Sequence, residues 1–292
     1  MKTLRVSAWK EKRLTIDAET LRKIEHLLYL WVGTFPPEPT WVCKNLGVHS
    51  LLIRVDFVLN GELKVYEIEE RPGDIGITAM INPRFWQKFT LLFKLWQKEL
   101  GKIAIVISER REDGDDYYWA ELMEVPIFRE VPQRERNLYL VRAEPCEKEY
   151  HCLSKYSIST VRHKGRKDYG EMMNLWIPVE RIQELPWEKG FALKPRQGSK
   201  LQNLFLWDLR QRPGTSRREE IIHALPRVTY LQPWIEPEKS SLISCEYLIR
   251  KIFFAWNPLT ERWESLGGIW VASNNLLFRT SDSIVGPIIT NY

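Results

Sequence analysis

Little in this sequence supplies the usual nucleophilic or metal-thiolate chemistry. Its four cysteines, Cys43, Cys146, Cys152 and Cys245, form no C-x-x-C pair, and no cysteine–histidine cluster has zinc spacing. That excludes a zinc finger or ribbon and predicts reduced thiols in a reducing compartment. The five histidines, His26, His49, His151, His163 and His223, are scattered and read as structural or surface residues. No Ser-His-Asp or Cys-His signature joins them to a nucleophile. Apolar runs are short: windows such as Phe89–Trp96 are broken by lysine well before the ~18 residues of a membrane span. The opening segment, MKTLRVSAWKEKR, is charged and predicts no secretory signal, hence a cytoplasmic protein with no membrane partner. Internal repeats and low-complexity tracts are absent.

What is present fits a globular enzyme. The 292 residues predict about two domains. Hydrophobic residues at 44% and charged residues at 28% exclude disorder. Thirteen tryptophans are an unusual number and read mostly as core and hinge packing. A net charge of +5, from 43 basic and 38 acidic residues, suits an anionic small molecule and nucleic acid equally. The basic residues cluster only at His163, Lys164, Arg166 and Lys167 and at Arg217–Arg218.

The apolar stripe Leu21, Ile24, Leu27, Leu28 and Trp31 predicts a helix over 18–32, stopped by the prolines of FPPEPTW. Leu51–Leu59 and Leu63–Ile68 read as strands joined by the hairpin signal Asn60-Gly61, followed by a turn, RPGDIG. Asn82–Leu100 reads as an amphipathic helix ended by Gly101. KIAIVISE reads as a buried parallel strand, and a charged loop, RREDGDD, leads to a helix at Tyr117–Met123. From about residue 151 short strands and proline-bounded turns take over, ending in strands at Tyr247–Trp256, Leu266–Ser273 and Asn275–Phe278.

The hairpin IRVDFVLNGELKVYEIEERPG carries the clearest chemistry. Alternation along a strand points Glu67 and Glu69 the same way, as it does Val65, and Asp56 on the partner strand can reach the same patch. Asp56 lies in an otherwise apolar run, where an unpaired charge is costly. Carboxylates held together need a cation, and magnesium prefers such oxygen ligands. The bland reading is an ordinary hairpin with an acidic solvent face.

VDFVLNGELKVYEIEERPG resembles the metal-binding strand pair of ATP-grasp enzymes, D-x-x-x-x-x-G-x-x-x-V-x-E-x-N with a following proline–glycine turn. The resemblance implies an α/β (α+β) ATP-grasp-like fold, with ATP and Mg2+ bound between two lobes. Asp56 and Glu67 then stand as the principal magnesium carboxylates. Glu69 replaces the family's usual asparagine, and a carboxylate also ligates magnesium. In FALKPRQGSKLQNLFLW, Lys194 matches the strand lysine on the phosphates, with Gln197, Gly198 and Ser199 as the loop closing over them. This loop is not a Walker A motif; without the first motif it would read as a surface turn. VTYLQPWIEPEK resembles the hinge strand: Gln232 with the backbone of Trp234 and Ile235 would receive adenine, and Glu238 or Glu236 the ribose. In EYLIRKIFFAW, Arg250 lies in an apolar run, so its charge is expected to meet an anion, and Lys251 is expected to be exposed on the other side. A further nucleotide lysine falls at Lys167, with Lys164 next.

In most ATP-grasp enzymes the lysine lobe comes before the metal strands, and here the order is reversed. That resembles the circularly permuted ATP-grasp proteins, which include glutathionylspermidine synthetase-like ligases. Three domains are expected: 1–83 with the helix and metal hairpin, 84–150 as a small pre-ATP-grasp-like α/β layer, and 151–292 as the nucleotide-binding lobes. The implied reaction passes the γ-phosphoryl of ATP to a small-molecule carboxylate and the acyl group to an amine, with Lys194 and Arg250 stabilising charge. A catalytically inactive nucleotide-binding relative and a nucleic-acid-binding protein using residues 162–167 are the alternatives, the latter ranked well below. Oligomeric state is left open.

Overall fold

The computed structural model describes residues 7–33, 40–107, 114–129, 137–142, 155–159, 177–179, 185–194, 205–207, 219–220, 223, 230–240, 245–274 and 283–290. The first strands, β1 (Ser7–Ala8) and β2 (Leu14–Ile16), lead into α1 (Ala18–Gly33) and α2 (Trp41–Leu46), then β3 (Leu52–Asn60) and β4 (Glu62–Glu69). Next come α3 (Ile75–Ile81), α4 (Pro83–Leu100), β5 (Ile103–Val106), α5 (Gly114–Leu122), β6 (Ile127–Phe128) and β7 (Leu138–Val141). Short strands follow: β8 (Ile177–Pro178), β9 (Phe191–Lys194), β10 (Phe205–Trp207), β11 (Tyr230–Pro233) and β12 (Glu238–Lys239). The last three are longer: β13 (Tyr247–Asn257), β14 (Arg262–Ser273) and β15 (Ile284–Thr290). The class is mixed α/β of the α+β kind. Among the described residues no helix is long and apolar enough to cross a membrane.

Two compact units divide the chain. The first comprises Met1–Val32, Pro36–Arg162 and Pro237–Tyr292, and the second Gly33–Phe35 and His163–Glu236.

The first unit is built on an eight-stranded sheet in the order β1-β15-β14-β13-β3-β4, with β12 also on β13 and β2 on β15. It is antiparallel from β15 through β4, while β1 and β2 run parallel to β15, so the sheet is mixed. Gly61 closes the β3–β4 hairpin at φ 77, a backbone angle that Cβ-bearing residues resist. The predicted stripe of α1 is inside: Leu21, Ile24, Leu28 and Trp31 are buried, and Leu27 is half-buried.

Helix α4 is tied to this sheet at its start by Asn82. Asn82 caps the helix through Oδ1, which accepts from the Phe85 N–H at 3.1 Å. Its Nδ2 meanwhile donates to the carbonyls of Gly268 at 2.9 Å and Ile288 at 2.7 Å. Phe85 then lies 5.0 Å from Phe253 of β13, and the Trp96 indole donates to the Trp256 carbonyl at 2.7 Å. Residues 84–150 therefore fall inside the first unit, because the helix that opens them packs on β13 and β14. Within that segment β6, β5 and β7 form a parallel three-stranded sheet, and every residue of β5 is buried, as its continuous apolar run predicts.

The second unit is an antiparallel sheet in the order β10-β9-β11-β8. One face packs a small core of Val179, Leu185, Phe191, Leu193, Trp207 and Leu231. Trp187 and Trp207 meet edge-on at 4.8 Å, and Trp207 donates to the Trp187 carbonyl at 3.0 Å. Tryptophan thus serves as core packing here.

Candidate functional site

Ladder partners in a sheet share a face. Asp56 pairs directly with Glu67, and Arg54 with Glu69, so all four lie on one face of the large sheet. A β-bulge between Asp56 and Phe57 leaves Tyr66 unpaired and brings Val65 opposite Phe57. Simple alternation puts Val65 on the face of Glu67; the bulge moves it to the other. Val65 and Ile68, three residues apart, are therefore buried together on the apolar side while both glutamates stay on the polar one.

The cations on that face come from two strands. Arg54, buried on β3, grips both Asp56 oxygens, with Nε to Oδ1 at 2.7 Å and Nη2 to Oδ2 at 3.0 Å. The same guanidinium reaches Glu69 at 3.2 Å, Asp74 at 3.1 Å and the Gly73 carbonyl at 3.2 Å. Lys251 stands directly opposite Asp56 in the β3–β13 ladder and donates to Asp74 at 2.8 Å. Burial opposes the Arg54 charge, but Asp56, Glu69 and Asp74 outweigh it and hold the guanidinium above its ordinary value. The same burial pushes Asp56 up, against the pull of Arg54 and Lys251.

The expected exposure of Lys251 is corrected. It is buried and sits on the carboxylate face, because the β3–β13 register places it against Asp56. Arg250 pairs with Phe57 and so lies on the opposite face from Asp56 and Glu67. Its expected anion is a carboxylate of the protein: Nη2 donates to Glu238 Oε1 at 2.8 Å, and Nη1 contacts Oε2 of the same residue. Glu238 also accepts from the Leu59 N–H at 3.3 Å. The two proposed catalytic or ribose-binding groups, Arg250 and Glu238, thus hold each other, away from the acidic face.

Beside the acidic face lies a second buried carboxyl pair, at the carboxyl ends of the parallel strands β5 and β7. Asp115 Oδ1 accepts from the Ile77 N–H at 2.8 Å, and Arg142 binds Asp116 at 2.8 Å. Burial, reinforced by Asp116 and Asp74, pushes Asp115 up to about 8. Gly76 permits this approach, since a Cβ there would stand 3.0 Å from Asp115 Oδ1 and 2.5 Å from its carbonyl.

In the second unit Lys194 pairs with Tyr230 and Gln232 with Ala192, so Lys194 and Gln232 share the face turned away from the unit's apolar core. Trp234 donates its backbone N–H to the Gly190 carbonyl at 3.1 Å, and its ring packs where a Gly190 side chain would be. That N–H, expected to meet adenine together with the backbone of Ile235, is engaged inside the unit. The Trp234 indole donates to Glu236 at 2.8 Å, so the other candidate ribose carboxylate is also in use. Lys167, Lys164, Gln197, Gly198 and Ser199 lie outside the described residues.

Among the described residues no group of three or more His, Cys, Asp or Glu side chains is arranged to hold a metal ion. Asp56, Glu67 and Glu69 supply the hard oxygen donors that magnesium prefers, so the donor chemistry fits. The guanidinium of Arg54 already joins Asp56 to Glu69, so the ion fits only where Arg54 gives up Asp56. The sequence reading missed Arg54, Asp74 and Lys251. Arg54 was detectable, since R-x-D within one strand puts opposite charges on one face; Asp74 carries no comparable signal. Neither a family model nor a curated protein matches the chain.

Proposed function

We propose that this chain is an ATP-dependent carboxylate–amine ligase with an ATP-grasp-like core in circularly permuted order. The observation that carries the reading is the ionic face of β3, β4 and β13, where the buried Asp56, Arg54 and Lys251 gather with the half-buried Glu67 and Glu69 on one side of the sheet. Desolvating that many charges costs stability, so such a set marks a place where chemistry is done. The shared face of Lys194 and Gln232 in the second unit supports the nucleotide half of the proposal.

The residues divide the work by chemistry. Lys194 would neutralise phosphate oxygens, and Gln232 offers both a donor and an acceptor to the adenine edge. Asp56 and Glu67, with Glu69, would hold Mg2+, which supplies charge neutralisation to the phosphates when bound. Arg54 and Lys251 stand on the same face as cations that can meet developing negative charge. The substrates are a small-molecule carboxylate, activated as its acylphosphate, and an amine that displaces phosphate to form the amide.

A second reading is a nucleotide-binding protein of the same fold without ligase chemistry. The bidentate hold of Arg54 on Asp56 favours it, because it occupies a proposed metal ligand. Calorimetric titration of ADP and a non-hydrolysable ATP analogue, with and without Mg2+, tests both. Magnesium-dependent binding that weakens at least ten-fold in Lys194→Ala supports the ligase and opens a screen of carboxylate–amine pairs for ADP release. Binding indifferent to magnesium favours the second reading, and no binding by the folded native chain removes both.

A further inference from the structure

We propose that the chain forms a two-fold symmetric dimer in which the outer face of α4 of one protomer seats on the outer face of α5 of its partner. The interface is independent of the ligase reading. The two helices border one another within the first unit: the Thr90 hydroxyl donates to the Met123 sulfur at 3.5 Å, and Trp119 packs on Phe89 and Phe93 at ring separations of 5.6 and 6.1 Å. Four leucines are at least half exposed among the described residues, and two of them adjoin this seam. Leu91, next to Thr90, is 64% exposed, and Leu122, next to Met123, is 50% exposed. Exposed leucines scattered singly need no partner, but two at one seam make a patch.

Charge identifies the occupant. On α4, helical spacing puts Arg84, Leu91, Lys94 and Lys98 on one stripe, and all four are exposed. The acid at the end of the stripe, Glu99, pairs with Lys98 at 3.2 Å. Beside Leu122, Glu121 and Glu124 are exposed, and no basic residue occurs from Gly114 to Ile127. Among the described residues, Arg84, Lys94, Glu121 and Glu124 form no ion pair within the chain. A face of one sign alone would call for a foreign partner of the opposite sign; here the chain supplies both. A basic face beside an acidic one, each with an exposed leucine, is complementary to itself after a half-turn. Every cation–carboxylate contact then occurs twice, and the assembly closes at two copies. The charges at the rim set register and encounter rate more than affinity, and the leucines form the apolar centre. Such an association is weakened by salt.

Sedimentation velocity of the full chain, from about 1 to about 200 μM, reads the association directly. A concentration-dependent dimer is expected in about 50 mM NaCl, with affinity about ten-fold lower in about 500 mM. Leu91→Gln keeps a helix-forming residue but removes the apolar centre, and should weaken the dimer about ten-fold or more. Lys94→Glu and Glu121→Lys should each weaken it several-fold, because each sets like charges face to face. Both reversals in one chain should restore the affinity to within about three-fold of native, a result that a merely structural role for either residue would not give. All three positions are exposed, so folding should survive; far-UV circular dichroism and matched melting temperatures check it. A native chain that stays monomeric at about 200 μM in low salt overturns the proposal. So does a dimer that ignores Leu91→Gln, or a double reversal that associates no better than the single ones. Binding of polyglutamate by a monomeric chain, lost in Lys94→Glu, would overturn the dimer and give the α4 face to an acidic partner.

Discussion

Arg250 and Lys251 are neighbours in β13, yet each ends on a carboxylate on the opposite side of the sheet from the other. Arg250 is held by Glu238 with an Nη2–Oε1 distance of 2.8 Å, and Lys251 by Asp74 at 2.8 Å. Strand alternation separates two adjacent cations into two environments: one locks the β12–β13 edge, the other neutralises the acidic face.

Lys251→Met should leave Asp74 and Asp56 under-neutralised in a buried site and cost about 3–5 kcal/mol of stability. Adding Asp74→Asn should recover part of that loss, since it removes the charge Lys251 answers. Urea unfolding of the two single variants and the double variant gives the coupling directly. A Lys251→Met chain as stable as the native one would show that Lys251 is not a counter-ion.

Leu231 and Gln232 are adjacent in β11 and face opposite ways, so their substitutions should separate stability from binding. Leu231→Ala removes a side chain of the small core and should cost about 2–4 kcal/mol. Gln232→Met keeps the volume and should leave the core intact while lowering adenine-nucleotide affinity about ten-fold, the loss of one or two hydrogen bonds. Thermal melts and ADP calorimetry on both variants check the contrast.

Asp115 sets a pH dependence of defined sign. Its carboxyl is raised from 3.8 to about 8 in the folded state, so the native chain holds a proton that the unfolded chain has released. Stability should therefore fall as pH rises from about 4 to 8, by at most roughly 1.4 kcal/mol per pH unit from this group. Asp115→Asn keeps the acceptor for Ile77 and should flatten that decline. Denaturation at pH 5 and pH 8 decides it: an equal native-to-variant difference at both values contradicts the buried-acid assignment.

Asn82 cannot be replaced by its acid. Asn82→Ala loses the cap and two cross-sheet bonds, at a cost of about 2–4 kcal/mol. Asn82→Asp keeps the cap acceptor but sets a carboxylate against the carbonyls of Gly268 and Ile288, so it should be no more stable than the alanine variant. Retention of native stability in Asn82→Asp would place the value of this residue in the cap alone.

Local patterns in the sequence located most elements of the first unit. The Asn60-Gly61 turn, the α1 and α4 helices, the buried β5 strand and the long β13 strand all follow from periodicity and turn chemistry. α3 was missed because Gly73 and Asp74 read as part of a turn; Asp74 does adopt φ 66, but the chain turns helical immediately after it. The helix expected at Tyr117–Met123 begins at Gly114, so Asp115 and Asp116 belong to its first turn instead of a loop. The candidate site was legible in its carboxylates and illegible in its cations. Asp56 and Glu67 were paired correctly because they belong to one hairpin. The position of Lys251 depends on a register with β3 that no neighbouring residue encodes, and the bulge that reverses Val65 is equally a property of the pairing.

The ion pair between Lys251 and Asp74 spans 177 residues of chain. During synthesis the β3–β4 hairpin and α3 emerge long before β13 exists to sit beside β3. Until then the hairpin presents an unpaired strand edge and carboxylates with Arg54 as their nearest cation. A chain growing on the ribosome must hold this half-sheet without its central strand, which is the situation in which exposed edges recruit the wrong partner. The late arrival of β13 makes completion of the large sheet a non-local step of folding. Substitutions in β13 should accordingly lower the yield of folded protein as well as its stability once folded.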